Sequence, residues 1–470
     1  MITIPSHKLE GFATTPGPLL PELFASDTRP LEPALKADGN YVPDSRKIPF
    51  SRYFSAEFAE LEMEHVWKKS WQAVAREEDF PEIGDRKSYD VGKLSYIIIR
   101  SGPESYKALQ NACLHRGTRL CHGFAGGEAI KCPFHGWEWN LDGSLKEIPS
   151  RWDFPDVQND AYRLPEAKIG TWGGWIFINP DHEAGPLEEA LGVLPDHFGP
   201  RESAERYTAV GFRKKVRGNW KQVQEAFFEA YHTIATHSQI MSYNGDTQTK
   251  YDVWDDGKSQ VSRLITPSAI PSGHLGEEAS GLRAAEDAMT TFALPFPGIE
   301  RCSIDPDQDG RAQVAEWRRQ TLGSMFGIDY SACSDSYMLD ATQYFMFPNF
   351  WPWWGEGLPL AYQFMPHGDN PDECVMEVRL TLPIPAAGPR PKSAELVDID
   401  FDTPIASVPE MGIMATIFDQ DFTNSPMVQM GLQSTLDPHF EATFGLYQES
   451  RILAFHDMID RKISQGQASK

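Results

Sequence analysis

Two groups of residues in this sequence combine side chains that bind transition metals. The first lies in the run 111–143, NACLHRGTRLCHGFAGGEAIKCPFHGWEWNLDG, which holds Cys113-x-His115 and, after sixteen intervening residues, Cys132-x-x-His135. Two thiolates and two imidazoles can close a tetrahedral zinc site, or hold a [2Fe–2S] cluster with both His on one iron and both Cys on the other. A zinc finger pairs Cys with Cys and then His with His. Here each short loop contributes one of each, which favours a cluster clamped between two loops over a structural zinc ribbon. Neutral imidazoles in place of two thiolates raise the potential of such a cluster, so it accepts electrons readily. Gly117, Gly123 and Gly136 permit tight turns beside the ligands. Cys121 and His122 fall outside the spacing and read as structural, and Trp137 and Trp139 read as covers against water.

The second group lies in 218–239, GNWKQVQEAFFEAYHTIATHSQ, which reads as one helix from Trp220 to Gln239. Glu229 and His232 are three apart and share a face. His237 lies five beyond His232, about 140° around a regular helix. For both imidazoles to reach one metal, the helix must widen or end near Ala235. Two imidazoles and a carboxylate with open positions make the facial triad that binds Fe(II) for O2 chemistry. A polar helix with two ordinary histidines is the plainer alternative. The presence of a one-electron centre in the same chain weighs against it.

These side chains need a frame. The chain has 470 residues, 41% of them hydrophobic, enough for two to three domains. Residues 1–45 are Pro-rich and read as an arm packing over another surface. Residues 55–70 have helical spacing. From Trp71 to about Pro180, short β-like runs such as Lys93–Arg100 and Trp172–Ile178 are punctuated by Gly and Pro. Helices are expected at 311–326, 411–433 and 446–463, with strands around 362–365 and 374–382. Residues 243–310 show little periodicity and read as a long ordered loop or lid. The formal charge of -24 excludes nucleic acid as a partner and suits a basic electron-transfer protein. The start lacks a secretory signal and no run is long enough for a membrane span. With two of six cysteines among histidines at metal-ligand spacing, a reducing cytoplasm is expected.

Both motifs, in this order, resemble the α subunits of Rieske non-haem iron oxygenases, also called aromatic ring-hydroxylating oxygenases. The likeness runs from about Phe50 to the C-terminus and takes in Trp67–Trp71, Cys113–Gly143, Trp175–Asn179, Asn219–His237 and Phe347–Asn349. It implies an α+β fold: an arm over 1–49, an antiparallel Rieske [2Fe–2S] domain over 50–183, and a helix-grip (START-like) catalytic domain over 184–470. By position, Cys113, His115, Cys132 and His135 would bind the cluster, and His232 and His237 the mononuclear Fe(II). The family's third iron ligand is an Asp on a late helix. Asp419-Gln-Asp421 resembles that stretch, with Asp421 the expected ligand and Asp419 the fallback.

The sequence departs from the family at Glu229, where the usual residue is an Asp. That residue is not a ligand but a bridge, hydrogen-bonded between an iron-bound His and a cluster His of the neighbouring subunit. Some relatives acting on amines or quaternary ammonium compounds carry Glu here. Glu225, one turn earlier, is expected to support the same network. The resemblance implies a terminal oxygenase that hydroxylates or dihydroxylates a small, aromatic organic substrate with O2. The alternative is an O- or N-dealkylating or quaternary-amine monooxygenase. Electrons would come from NAD(P)H through a separate reductase, with or without a ferredoxin. A homotrimer is expected, a complex with a small β subunit being the alternative. Phe345, Phe347, Phe350, Trp351, Trp353 and Trp354 could line the substrate pocket, though most read as core.

Overall fold

Between Gln72 and Asn179, Gly-punctuated runs rich in β-branched and aromatic residues form three small antiparallel sheets. The computed structural model describes residues 19–158, 161–294, 298–435, 437 and 439–468. One sheet has four strands, in the order Ser105–Gln110, Leu94–Gly102, Arg86–Val91, Phe124–Ala125. A second joins Lys168–Trp172 and Trp175–Asn179 to Gln72–Arg76. The third is a short meander of Ile130–Lys131, Glu138–Trp139 and Leu145–Glu147. Ile97 and Ile99 belong to one buried cluster with Leu109, Cys113 and Cys132, while Ile98 between them joins another. This is the two-residue alternation of a strand covered on both faces.

The rest of the chain is organised by one eight-stranded sheet. Its order is Lys250–Asp255, Gln260–Thr266, Ala341–Met346, Phe350–Trp354, Leu360–Pro366, Glu373–Pro383, Arg206–Arg217, Val397–Ile399. Only the last pair is parallel. One face carries Phe212, Phe345, Trp351, Phe364 and Met376 against the helices Ile413–Gln433 and Ser450–Ala468. Phe418 of the first helix stands edge-on to Phe212 at 5.6 Å and to Tyr362 at 5.7 Å. Phe455 of the second contacts Trp220 at 5.6 Å and Phe228 at 5.3 Å. The other face buries Tyr344, Met346, Phe350 and Trp354 with Val314 and Leu322 of the helix Gly310–Phe326. That helix starts where the Asp309 side chain accepts from the Ala312 N–H, and it stops at Gly327, whose φ of 68° favours glycine.

The region 243–310 is not a loop. It supplies the strands Lys250–Asp255 and Gln260–Thr266 and the helix Gly281–Ala293. Both strands are buried on the two sides, so they lack the alternation by which a strand is recognised in sequence. Of the N-terminal arm, residues from Leu19 onward are described. Leu20, Leu23, Ala34 and Leu35 pack into the same core as the helix Gly310–Phe326, and Thr28 and Glu32 bond Asp335 and Ser334. Of the six late aromatics, Phe345, Phe347, Phe350, Trp351 and Trp354 are core, and only Trp353 is half-buried.

Candidate metal centres

The loops bearing Cys113 and Cys132 close in the same way. The N–H of Gly117 donates to the Cys113 carbonyl at 2.8 Å, and the N–H of Gly136 to the Cys132 carbonyl at 3.0 Å. Both glycines have φ of 76°, which a side chain would strain. Each Cys N–H is returned across its own loop, to Thr118 at 2.9 Å and to Trp137 at 2.8 Å. The two thiols are buried, His115 is half-buried and His135 exposed, with the two ring centroids 4.6 Å apart. Trp137 stacks flat on His115 at 5.0 Å, and Phe154 stands edge-on to both rings. Burial, and then the neighbouring Cys132 sulfur, raises the Cys113 thiol, since two thiolates side by side need positive charge between them. The Nδ1 of His115 is buried with no hydrogen-bond partner. Two packed sulfurs and an orphaned imidazole nitrogen fit a metal cluster held between the loops.

The second centre is assembled from two distant stretches. The predicted helix 220–239 is regular only over Trp220–Glu225, begun by Asn219, whose side chain accepts from the Lys221 N–H at 3.1 Å. Beyond it, side chains take amides that a helix would have bonded to its own carbonyls. The Ala230 N–H goes to the Tyr251 hydroxyl at 3.1 Å, and the His232 N–H to Glu229 Oε2 at 2.9 Å. A separate single turn, Thr233–Thr236, then carries the chain to His237. The break therefore comes ten residues before the expected end at Ala235. It frees both imidazoles from helical spacing.

His232, His237 and Asp421 each offer a ligand atom, and these atoms lie within 4.8 Å of one another. Asp421 Oδ1 is 2.9 Å from His237 Nε2 and 3.6 Å from His232 Nε2. The outer nitrogens are held from behind: His232 Nδ1 contacts Glu229 Oε1 at 2.7 Å, and His237 Nδ1 contacts Gln420 Oε1 at 2.9 Å. Both Nε2 atoms are thereby turned to the common point, the arrangement by which outer-sphere partners aim metal-binding histidines. Burial disfavours a charged His232, yet the Glu229 and Asp421 carboxylates outweigh it and push the imidazole up to about 9. In other words, the site holds more negative charge than it can neutralise and suits a cation. The set could hold one metal ion with positions left open.

Two expectations are corrected. Asp419 points away from the site and accepts from the N–H groups of Ile405 at 2.7 Å and Ala406 at 3.1 Å, so it caps a short helical turn. Glu225 does not join the Glu229 network. It is buried between the Tyr53 hydroxyl, at 3.1 Å, and His456 Nε2, at 2.9 Å, because the helix ends with Glu225 facing the C-terminal helix. Gln420 is a contact that sequence reasoning missed. Its one visible signal is its place between two acidic residues, one of which faces the metal point. Among the described residues no hydrogen bond links Glu229 to His115 or His135 of the same chain.

Comparison with known proteins now adds the lineage. The ring hydroxylating alpha subunit (catalytic domain) matches residues 200–465, more than half of the chain. The chain belongs to the ring-hydroxylating α-subunit family. The Rieske [2Fe-2S] domain matches residues 70–158 of this α subunit, so a [2Fe–2S] cluster and a mononuclear iron are its cofactors. The salicylate 5-hydroxylase large oxygenase component of Ralstonia sp is 26% identical over 56% of this chain and 66% of its own. The glycine betaine monooxygenase oxygenase subunit of Pseudomonas aeruginosa is 29% identical over 63% and 69%. These matches span about two thirds of each relative's length. A quaternary ammonium Rieske monooxygenase in complex with L-carnitine has the same fold, with a TM-score of 0.60 at 17% identity over 89% of this chain and 97% of that one. No helix among the described residues is long and apolar enough to cross a membrane.

Proposed function

We propose that this α subunit is a terminal oxygenase that oxidises a small organic substrate with O2, using electrons from NAD(P)H delivered by a separate reductase, with or without a ferredoxin. The observation that carries the proposal is the pairing, in one chain, of the Cys113/His115/Cys132/His135 loops with the His232/His237/Asp421 point. In this reading the division near residue 183 separates an electron-accepting domain from an oxygen-activating one. The cluster supplies single electrons, and the mononuclear iron supplies open positions for O2 next to substrate. The chain's own residues do the rest. Glu229 and Gln420 fix the tautomer and angle of the two imidazoles. Tyr362, close to Asp421 and packed with Phe418 and Phe422, forms an apolar wall that excludes water.

Glu229 also serves as the bridge to a cluster histidine of a neighbouring subunit. The role requires a head-to-tail assembly of subunits, a homotrimer in this reading. His135 is exposed, as are Leu114, Phe134 and Trp152 of the same cluster-bearing segment, the last 80% exposed. Near the iron point, Tyr231, Ile234, Met427 and Met430 are exposed as well. Two separate apolar patches on one chain suit a heterologous contact that closes into a ring.

An aromatic substrate is the first reading, and a quaternary amine the second. The second is favoured by the Glu229 and Asp421 carboxylates beside His232, which suit a cation. The deciding experiment combines metal analysis with a substrate screen in the presence of a reductase, following O2 uptake against product. The expected result is about three irons per chain and coupled turnover of one substrate class. A colourless protein loaded only with zinc would end the proposal.

A further inference from the structure

Seven tyrosines are buried among the described residues, and six of them have their hydroxyls bonded. Tyr53, Tyr330 and Tyr337 donate to the carboxylates of Glu225, Glu356 and Glu202 at 3.1, 3.0 and 2.8 Å. Tyr89 donates to Gln72 at 3.0 Å, while Tyr251 accepts from the Ala230 N–H and Tyr344 from Arg263. Tyr362 is the exception. It is 2% exposed, and its hydroxyl makes no hydrogen bond among the described residues. Nor is that oxygen one of the unpaired polar atoms that packing seals off completely. A buried donor that is unpaired but still accessible is satisfied from outside the chain, by water or by a ligand. Its position decides which.

Tyr362 projects from the strand Leu360–Pro366 onto the face of the sheet that packs against the helix of Asp421. Its ring contacts Phe227 at 5.5 Å, Trp353 at 5.6 Å and Phe418 at 5.7 Å, edge-on in each case. Phe227 precedes Glu229 by two residues, and Phe418 lies one helical turn before Asp421. Phe227, Trp353, Leu358 and Met414 pack against the same core yet are only half-buried, so this part of the face is not fully covered. Burial, and then the Asp421 carboxylate, push the phenol well above its ordinary range, so it stays a neutral donor. No basic side chain among the described residues acts on it. This wall offers an anion no counter-charge, and the acceptor that matches it is an uncharged oxygen.

We infer that Tyr362 is a substrate-positioning donor beside the iron point: it holds a carbonyl, ether or hydroxyl oxygen of a substrate whose flat apolar body lies along Phe227, Phe418 and Trp353. The inference rests on the oxygenase reading and narrows its substrate class to an oxygen-bearing aromatic compound. One hydrogen bond at a fixed place in an apolar wall sets the orientation of the bound molecule. A hydrocarbon without an acceptor leaves the phenol unpaired and lacks that orientation.

The test is isothermal titration of the iron-loaded protein, without O2 or an electron donor, with acetophenone and with α-methylstyrene. The two molecules have nearly the same shape, a carbonyl oxygen in one replacing a methylene in the other. Saturable binding of acetophenone is expected. Tyr362→Phe should shift the ratio of the two affinities by about fivefold against acetophenone, the worth of one neutral hydrogen bond, with iron content and cluster absorption unchanged. Phe227→Leu should weaken both probes alike, by about threefold, because it trims the wall and not the donor. Absence of acetophenone binding, an unchanged ratio in Tyr362→Phe, or indifference of both probes to Phe227→Leu would each overturn the inference. Failure of the oxygenase reading is seen separately, in the metal analysis and the turnover screen, since no turnover enters this titration.

Discussion

The two candidate metal centres of this chain are built in opposite ways. The cluster loops are local. Each takes its proposed pair of ligands from within four residues, closes on itself through a glycine at φ of 76°, and repeats the other's geometry. The iron point is not local: His232 and His237 come from a broken helix and Asp421 from a helix nearly two hundred residues later. A local centre depends on short turns that fold with little loop-closure cost, whereas a distant one depends on the packing of the whole sheet between them. The first should therefore survive changes that empty the second.

Asp421→Ala is the strongest way to test that difference. It removes one of three ligands, so the mononuclear iron should be lost and turnover should fall to background, while cluster absorption stays. Iron and absorbance measured on the same sample decide it. Asp419→Ala is the control: the helical turn at Ile405 loses its cap, at a cost of about 1 kcal/mol, and iron content holds. Were the two results reversed, the third ligand would be Asp419. Glu229→Ala comes next. Both centres should remain filled and the cluster reducible, with turnover down about a hundredfold. A rapid-mixing measurement should then find the slowed step between cluster oxidation and product. Normal activity would remove Glu229 from the path between the centres.

The same contrast explains what could be read from the sequence. The convergence of the Cys113–His115 and Cys132–His135 loops is legible because residue type and spacing sit in one run, and so are the strand-rich stretch before Pro180 and the helices at 310–326 and 413–433. Much of the iron site was not legible. Nothing local says that the Tyr251 hydroxyl takes the Ala230 amide, yet that bond helps end the helix early and lets His232 and His237 converge. The strands Lys250–Asp255 and Gln260–Thr266 escaped because burial on both faces erases alternation. Asp421 was distinguishable from Asp419 by resemblance alone, and the hydrogen bonds of Asp419 to Ile405 and Ala406 supply the physical reason.

Gln420 stands directly behind the distant centre. Its Oε1 accepts from Gln239 at 2.7 Å while contacting His237 Nδ1, so one amide ties the ligand to a neighbouring turn. Gln420→Leu should lower iron affinity by about tenfold, read as the chelator concentration that strips half the iron. The cluster should not respond.

The smallest effect lies behind the iron helix, at the residue that ends its regular turn. Burial pushes Glu225 up to about 8 from 4.5, while the Tyr53 hydrogen bond and the charges of Lys221 and Arg52 pull it partly back. A carboxyl raised in this way binds its proton more tightly folded than unfolded. Its contribution to stability is complete below about 4.5 and is lost as the pH rises through about 8. His456, its partner, is driven the other way by burial and by Arg52 and Lys221, so it stays neutral and costs stability only in acid. Glu225→Gln keeps a group that can bond both Tyr53 and His456 but has no proton to lose. The melting temperature of the original chain should therefore fall, relative to Glu225→Gln, between about pH 5 and 8, with iron content equal in both. Parallel melting curves across that window would mean that Glu225 is ionised in the folded chain, held so by the nearby charges of Lys221 and Arg52. In that case the helix would be anchored by a carboxylate and not by a neutral hydrogen bond.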